Sequence, residues 1–199
     1  MDYELIKKIF YSPPVIRTER LIMRPIRSSD AADMFEYSSD PYVTRYLTWE
    51  PHKDLRFTKN HIKRIERSYR EGLFYDWALE LKDKHKMIGT CGFTSFVYNE
   101  DSCEIGYVLN PRYHGYLLAT EAAKAAVRYA FEMLSARSVF ARCMPQNIAS
   151  RRVMQRCGMK YECDIDRCAV KQNRYVGVSQ YRLTREEYDL LKLNGDFGI

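Results

Sequence analysis

The chain has 199 residues, of which 46% are hydrophobic, 29% charged and 14% aromatic. This length suits one domain with a core of its own, and the mix of charged and apolar residues excludes disorder. The 32 Lys and Arg exceed the 26 Asp and Glu by six, a surplus that suits a nucleic acid, an acidic surface or an anionic small molecule.

No run approaches the roughly 18 apolar residues of a membrane helix. The charged start MDYELIKKIF does not read as a secretory signal. The expectation is a cytoplasmic protein with no membrane partner. Cys91, Cys103, Cys143, Cys157, Cys163 and Cys168 form no C-x-x-C pair, and no two of the four His lie three to five residues apart. Zinc spacing is absent, so no metal is expected, and the thiols are read as reduced and mostly buried.

Along the chain, residues 1–17 read as an N-terminal extension, broken by Pro13-Pro14. Residues 20–27 alternate as an edge strand, and Ser28-Ser29-Asp30 cap a helix that runs to about Tyr37. Asp40-Pro41 ends it. A second helix spans 55–69, with Ile62, Ile65 and Tyr69 at helical spacing and Gly72 as its stop. Strands 74–81, 86–98 and 102–109 form an antiparallel meander around turn-like Asp83-Lys84 and Asn99-Glu100-Asp101. The clearest helix covers 116–134, with Leu118, Ala122, Ala125, Ala126, Tyr129 and Met133 on one face. A strand at 138–144, a short helix at 147–156 and a strand pair at 159–165 and 174–183 complete the order. The alternation slips between Val178 and Tyr181, which predicts a bulge there. The class is α/β, with a mixed, mostly antiparallel central sheet flanked by helices. The step from strand 102–109 through helix 116–134 to strand 138–144 is a parallel crossover.

Residues 104–121 run from strand through a tight loop into a helix, whose first N–H groups suit a phosphate. Arg112 and His114 add donors. The loop matches neither G-x-x-x-x-G-K-[ST] nor G-x-G-x-x-G, which argues against a P-loop or a dinucleotide-binding Rossmann site.

Four stretches, spanning about residues 17–184, resemble the GNAT superfamily of N-acetyltransferases, in particular the branch that acetylates ribosomal-protein N-termini. They are Thr18-Glu19-Arg20-Leu21-Ile22-Met23-Arg24-Pro25 with Ser29-Asp30, then Ile88-Gly89-Thr90-Cys91-Gly92-Phe93, then residues 104–122, then residues 147–159. The resemblance implies a domain over 18–185, a C-terminal extension over 186–199, and a splayed strand pair that forms an acetyl-CoA cleft. It implies direct transfer of acetyl from acetyl-CoA, as cosubstrate, to a primary amine. Protein N-termini, polyamines, amino-acid derivatives and aminoglycosides all fit as acceptors. A CoA-binding module of the same fold with little transferase activity is the alternative, and an RNA- or ribosome-associated protein a further one. CoA is itself a multiply charged anion, so the surplus charge is met without nucleic acid. The final strands offer a homodimer edge.

The family's pyrophosphate loop, Gln/Arg-x-x-Gly-x-Gly/Ala, falls on His114, Gly115, Tyr116, Leu117, Leu118 and Ala119, with Thr120 following. Two positions depart, and Leu117 stands where the family has a glycine that lets backbone approach phosphate. The loop keeps its N–H groups available if Leu117 points into the core. Val108 or Leu109 would give the oxyanion its N–H and pair with pantetheine. Glu104 is the base candidate, directly or through water, against the reading of a structural salt bridge. Tyr107, an odd number of residues on, belongs on the opposite strand face. Asn147 would meet pantetheine and also cap its helix. Ser150 is the proton source preferred for the departing thiolate, because Met154 stands where many relatives have Tyr. Arg152 and Arg156 would meet CoA phosphates. The acceptor would meet Tyr46, Trp49, Phe93 and Tyr107.

Overall fold

The computed structural model describes residues 1–197. Asp2 opens α1 (Tyr3–Phe10) by accepting from the N–H groups of Glu4 and Leu5, and the helix stops short of Pro13. Two short strands follow, β1 (Ile16–Arg17) and β2 (Leu21–Arg24). Next come α2 (Ala31–Ser38) and one turn, α3 (Pro41–Thr44), capped by Asp40 with proline at its first position. Asp54 caps α4 (Leu55–Arg70), whose buried stripe is Thr58, Ile62, Ile65 and Tyr69.

The meander is β3 (Asp76–Leu81), β4 (Lys86–Val97) and β5 (Ser102–Leu109). Then come α5 (Leu118–Glu132), β6 (Ser138–Cys143), α6 (Ile148–Arg156), β7 (Lys160–Lys171), β8 (Arg174–Thr184) and α7 (Arg185–Leu193). Among the described residues no helix is long and apolar enough to cross a membrane.

All eight strands join one sheet in the order β1-β2-β3-β4-β5-β6-β8-β7. Every pairing is antiparallel except β5 with β6. One face packs Trp77, Leu79, Cys91, Phe93 and Ile105 against α5, together with α6 and α7. Five alanines of α5, at 122, 123, 125, 126 and 130, are buried there, and their small side chains let the helix sit close to the sheet. The other face packs Ala78 and Met87 against Met34 and Tyr37 of α2 and Ile62, Ile65 and Tyr69 of α4.

Several expectations are corrected. Residues 1–17, read as an N-terminal extension, contribute to the main core through the buried Ile6 and Phe10 of α1. Residues 186–199 begin as helix, and Tyr188 of α7 stacks on Phe131 with ring centroids 4.5 Å apart. Met133 lies beyond the last turn of α5 and is 59% exposed. The bulge predicted on β8 lies on its partner, with register shifts at Tyr161/Cys163 and Ile165/Ala169 of β7. An edge strand absorbs extra residues more readily than one paired on both sides. β7 also runs on to Lys171, because ladder bonds to β8 carry a segment whose charged residues hide any apolar alternation. Gln172 and Asn173, both at positive φ, close that hairpin as a two-residue turn.

Candidate functional site

The site begins where two strands part. β5 and β6 pair only over residues 102–104 and 138–140. Beyond that, β5 stays with β4 as far as Leu109, while β6 stays with β8 as far as Cys143. The sheet therefore splits between Ile105–Leu109 and Ala141–Cys143. At the apex Glu104 takes two bonds from Arg142, Nε to Oε1 at 3.0 Å and Nη2 to Oε2 at 3.1 Å, and one from Ser95 at 3.1 Å. The Glu104–Arg142 pair joins β5 to β6 and pins the point of divergence.

On one side of the split, Tyr107 directs its hydroxyl to α6, 3.0 Å from both the carbonyl and the hydroxyl of Ser150. Burial pushes the Tyr107 phenol well above its usual value, so its proton stays on oxygen. Asn147 opens α6 and accepts from the Ser150 N–H at 3.2 Å. Asn147, Ser150 and Tyr107 therefore form one chain of contacts across the gap. Met154 is fully buried in the main core. Arg152 and Arg156 lie exposed on the outer side of α6.

Past β5, Asn110 caps a short turn by accepting from the Arg112 N–H, and its amide donates to Glu36 of α2. Arg112 also donates to Glu36, at 2.9 Å, so its guanidinium is engaged by α2. Lys86, then Asn110 and Arg112, hold the Glu36 carboxyl below its usual range. His114 folds back, its Nε2 3.0 Å from the carbonyl oxygen of Leu109. Gly115 has φ +87° with open space where a side chain would stand. Tyr116 is exposed, and its carbonyl accepts from Arg20. Leu117 adopts the left-handed conformation at φ +61°, with its side chain 52% exposed. Leu117 does not point into the core, where Leu118 sits instead at 4% exposure. The first-turn N–H groups of Leu118, Ala119 and Thr120 have no carbonyl within their own helix to bond. Loop and helix start thus lie at one end of the cleft with their N–H groups free of intrahelical partners, an arrangement that suits an anion.

Of the residues expected around an acceptor, Tyr46 and Trp49 lie half-buried in the segment after α3. Tyr46 carries the Arg45 guanidinium 4.7 Å from its ring centroid, and Trp49 packs on His52. Lys171, at the tip of the β7–β8 hairpin, donates to the carbonyls of Thr44 and Leu47 and so ties the hairpin to this segment. Phe93 is not in the acceptor space. It is 3% exposed on the α5 face, packed on Phe10, Trp77 and Phe96. Alternation along β4 decides this, since Phe93 shares its face with Cys91 and not with Gly92.

Residues 20–160 match the acetyltransferase (GNAT) domain. An uncharacterized N-acetyltransferase of Bacillus subtilis, YnaD, is 30% identical over 87% of this chain and 99% of its own length. The ribosomal protein uS5-alanine N-acetyltransferase of Escherichia coli is 25% identical over 74% of this chain and 78% of its own length. The crystal structure of a GNAT-family acetyltransferase from Bacillus anthracis superposes with a TM-score of 0.77 at 28% identity, covering 87% of this chain and 99% of that one. With its sheet split between β5 and β6, the chain belongs to the GNAT family and is an acetyl-CoA-dependent N-acetyltransferase.

Proposed function

We propose that the protein transfers acetyl from acetyl-CoA to a primary amine, a protein N-terminus or a small-molecule amine, by direct attack in a ternary complex. The observation that carries this reading is the Tyr107–Ser150 pair, 3.0 Å between hydroxyls, spanning the split in the sheet. A thiolate leaving there needs a proton, and the residue at the usual donor position, Met154, has none to give. Tyr107 supplies it, with Ser150 relaying.

In this reading the N–H groups of residues 115–120 receive the pyrophosphate, and Arg152 and Arg156 meet the outer phosphates. Pantetheine lies in the split along Val108 and Leu109, pairing as an added strand, with Asn147 on its other side. A backbone N–H at Val108 or Leu109 steadies the oxyanion of the tetrahedral intermediate. Glu104 fixes the width of the split through Arg142. Tyr46 and Trp49 line the way in for the acceptor.

The test is a thermal shift with acetyl-CoA, followed by thiol release across a panel of N-terminal peptides and small amines. We expect stabilisation that grows with acetyl-CoA as RT ln(1 + [L]/Kd) and thiol release with at least one acceptor. Tyr107→Phe should lower kcat by about 100-fold, the low end of proton-transfer catalysis, with little change in KM for acetyl-CoA. No shift at millimolar acetyl-CoA rejects the reading. A shift without thiol release favours the CoA-binding module.

A further inference from the structure

Away from the split in the sheet, α4 carries positive charge that nothing in the fold answers. Residues 53–71 hold seven Lys and Arg against three Asp and Glu, which is four of the chain's surplus of six. Arg56, Lys59, Lys63, Arg67 and Arg70 recur at steps of three and four residues, so they form one stripe along the helix. At 1.5 Å per residue the stripe is about 21 Å long. All five are exposed, as are Lys53 just before the helix and Arg64 beside the stripe. A different side of α4, with Thr58, Ile62, Ile65 and Tyr69, is buried.

Among the described residues, none of these seven cations has a carboxylate within ion-pair distance. The nearest carboxylates in sequence are engaged elsewhere. Asp54 accepts from the Phe57 N–H at 2.6 Å, and Glu66 accepts from the N–H and hydroxyl of Ser28 at 2.8 and 2.7 Å. Glu71 lies past the last turn. In contrast, α7 matches Arg185 with Asp189 and Lys192 with Glu132. Like charges one turn apart on a helix repel, and each neighbouring pair in the stripe is of that kind. An anion laid along it relieves this repulsion as well as forming new pairs. The stripe starts beside the way in lined by Tyr46 and Trp49: Trp49 packs on His52 with ring centroids 5.6 Å apart, and His52 on Phe57 at 4.9 Å. At its head, Lys53, Arg56, Phe57 and Asn60, with Asp54, line a shallow cavity of about 210 Å³ that has room for a carboxylate side chain.

We propose that this stripe docks an extended, acidic segment of a polypeptide and so brings its amino end to the acceptor entry. Docking stands apart from the acetyl-transfer reading, whereas delivery of the amine rests on it. An extended chain advances about 3.3 Å per residue, so the stripe spans about six residues of it. Carboxylates on one face of such a chain recur about every 6.6 Å. Long Lys and Arg side chains whose Cα atoms rise by about 4.5–6 Å reach them readily. A membrane is a poor partner, because the apolar side of α4 is buried and has nothing to insert. A nucleic acid fits less well than a peptide. Its single strands use rings to stack on, and the rings of α4 are taken: Phe57 carries the Arg64 guanidinium and Tyr69 is buried. It also brings no aliphatic amine to the entry. The same charge repels polyamines and aminoglycosides, which narrows the acceptor to an amine on an acidic polypeptide.

The probe is a short peptide with a free amino end, glutamate at every second position and a fluorophore at its carboxyl end. It is titrated into the CoA-loaded protein by fluorescence anisotropy, beside a matched peptide with glutamine for glutamate. The glutamate peptide should bind at least about tenfold more tightly, and high salt should remove that margin. Arg56→Gln, Lys63→Gln and Arg67→Gln combined should remove it too. These positions are exposed, so the melting temperature and its rise with acetyl-CoA should stay as in wild type. Lys59→Gln with Arg70→Gln repeats the test if the triple variant melts lower. In turnover, the triple variant should raise KM for the glutamate peptide about tenfold and leave kcat and KM for acetyl-CoA alone, a split that general loosening of the fold would not give. Equal affinity for the two peptides, binding of neither, or a margin that the variants keep overturns the proposal. So does a single-stranded RNA of equal charge that binds more tightly than the glutamate peptide through the same three residues, which would give the stripe to nucleic acid. A glutamate peptide that docks on the stripe while no acceptor releases thiol rejects the transferase reading and leaves the docking surface standing.

Discussion

Leu117 holds a backbone conformation that suits glycine. A left-handed residue with a Cβ costs roughly 1–2 kcal/mol, and this one stands beside the N–H groups that would face phosphate. Leu117→Gly is expected to raise the melting temperature and to tighten acetyl-CoA severalfold, whereas Leu117→Ala keeps the strain and gains little. A thermal melt with and without acetyl-CoA reads both effects, and a Leu117→Gly protein that melts lower would remove the strain argument. The departure at 117 was visible in the sequence, because a known loop pattern has a fixed place for glycine. The direction of the side chain was not, since it depends on Leu118 claiming the core. Tyr107 was placed on the correct strand face by counting residues. Its partner Ser150 lies 43 residues away, and no local pattern joins them.

At the scale of elements, the caps and periodicities did most of the work. Asp54 before α4 and Asn147 before α6 act as caps through their own side chains. The N-terminal helix escaped this reading, because eight residues give too little periodicity to separate a docked helix from a free one. Its Phe10 meets Tyr75, Trp77 and Phe93 at centroid distances of 5.0, 5.4 and 6.1 Å. Removing residues 1–12 exposes the places of Ile6 and Phe10, each worth about 1.5–3 kcal/mol. The loss should be about 3–6 kcal/mol, read by urea unfolding, and an unchanged midpoint would show that α1 merely rests on the core.

At the scale of the molecule, acid should weaken the fold before the carboxylates titrate. His52 is buried against Thr58 and Trp49, and burial, with His61 and Arg64 nearby, lowers it to about 4. A base whose folded value lies below its unfolded value gives stability that is complete above about 6.5 and is lost as pH falls toward 4. The loss from His52 reaches up to about 3 kcal/mol at pH 4. Asp76 acts with the opposite sign, since its raised value makes the fold less stable as pH rises from about 4 to 7. Melting curves of wild type and His52→Gln across pH 4–8 isolate the first effect: the variant should show the shallower acid slope, and equal slopes would refute it.

The sequence by itself determined the order of the main elements, the mixed sheet and the family, because each is written in local spacing and caps. The surplus of six positive charges set the question of an anionic partner, and the acetyl-CoA that the GNAT family uses is such an anion. Only the tertiary structure decided which side chains meet. It gave Glu104 to Arg142, Tyr107 to Ser150 and Phe93 to the core, and it left Asp76 Oδ1 without a hydrogen-bond partner among the described residues. The physical reason is that partners across a sheet are chosen by register and by the point at which β5 and β6 part, neither of which is encoded within any one segment.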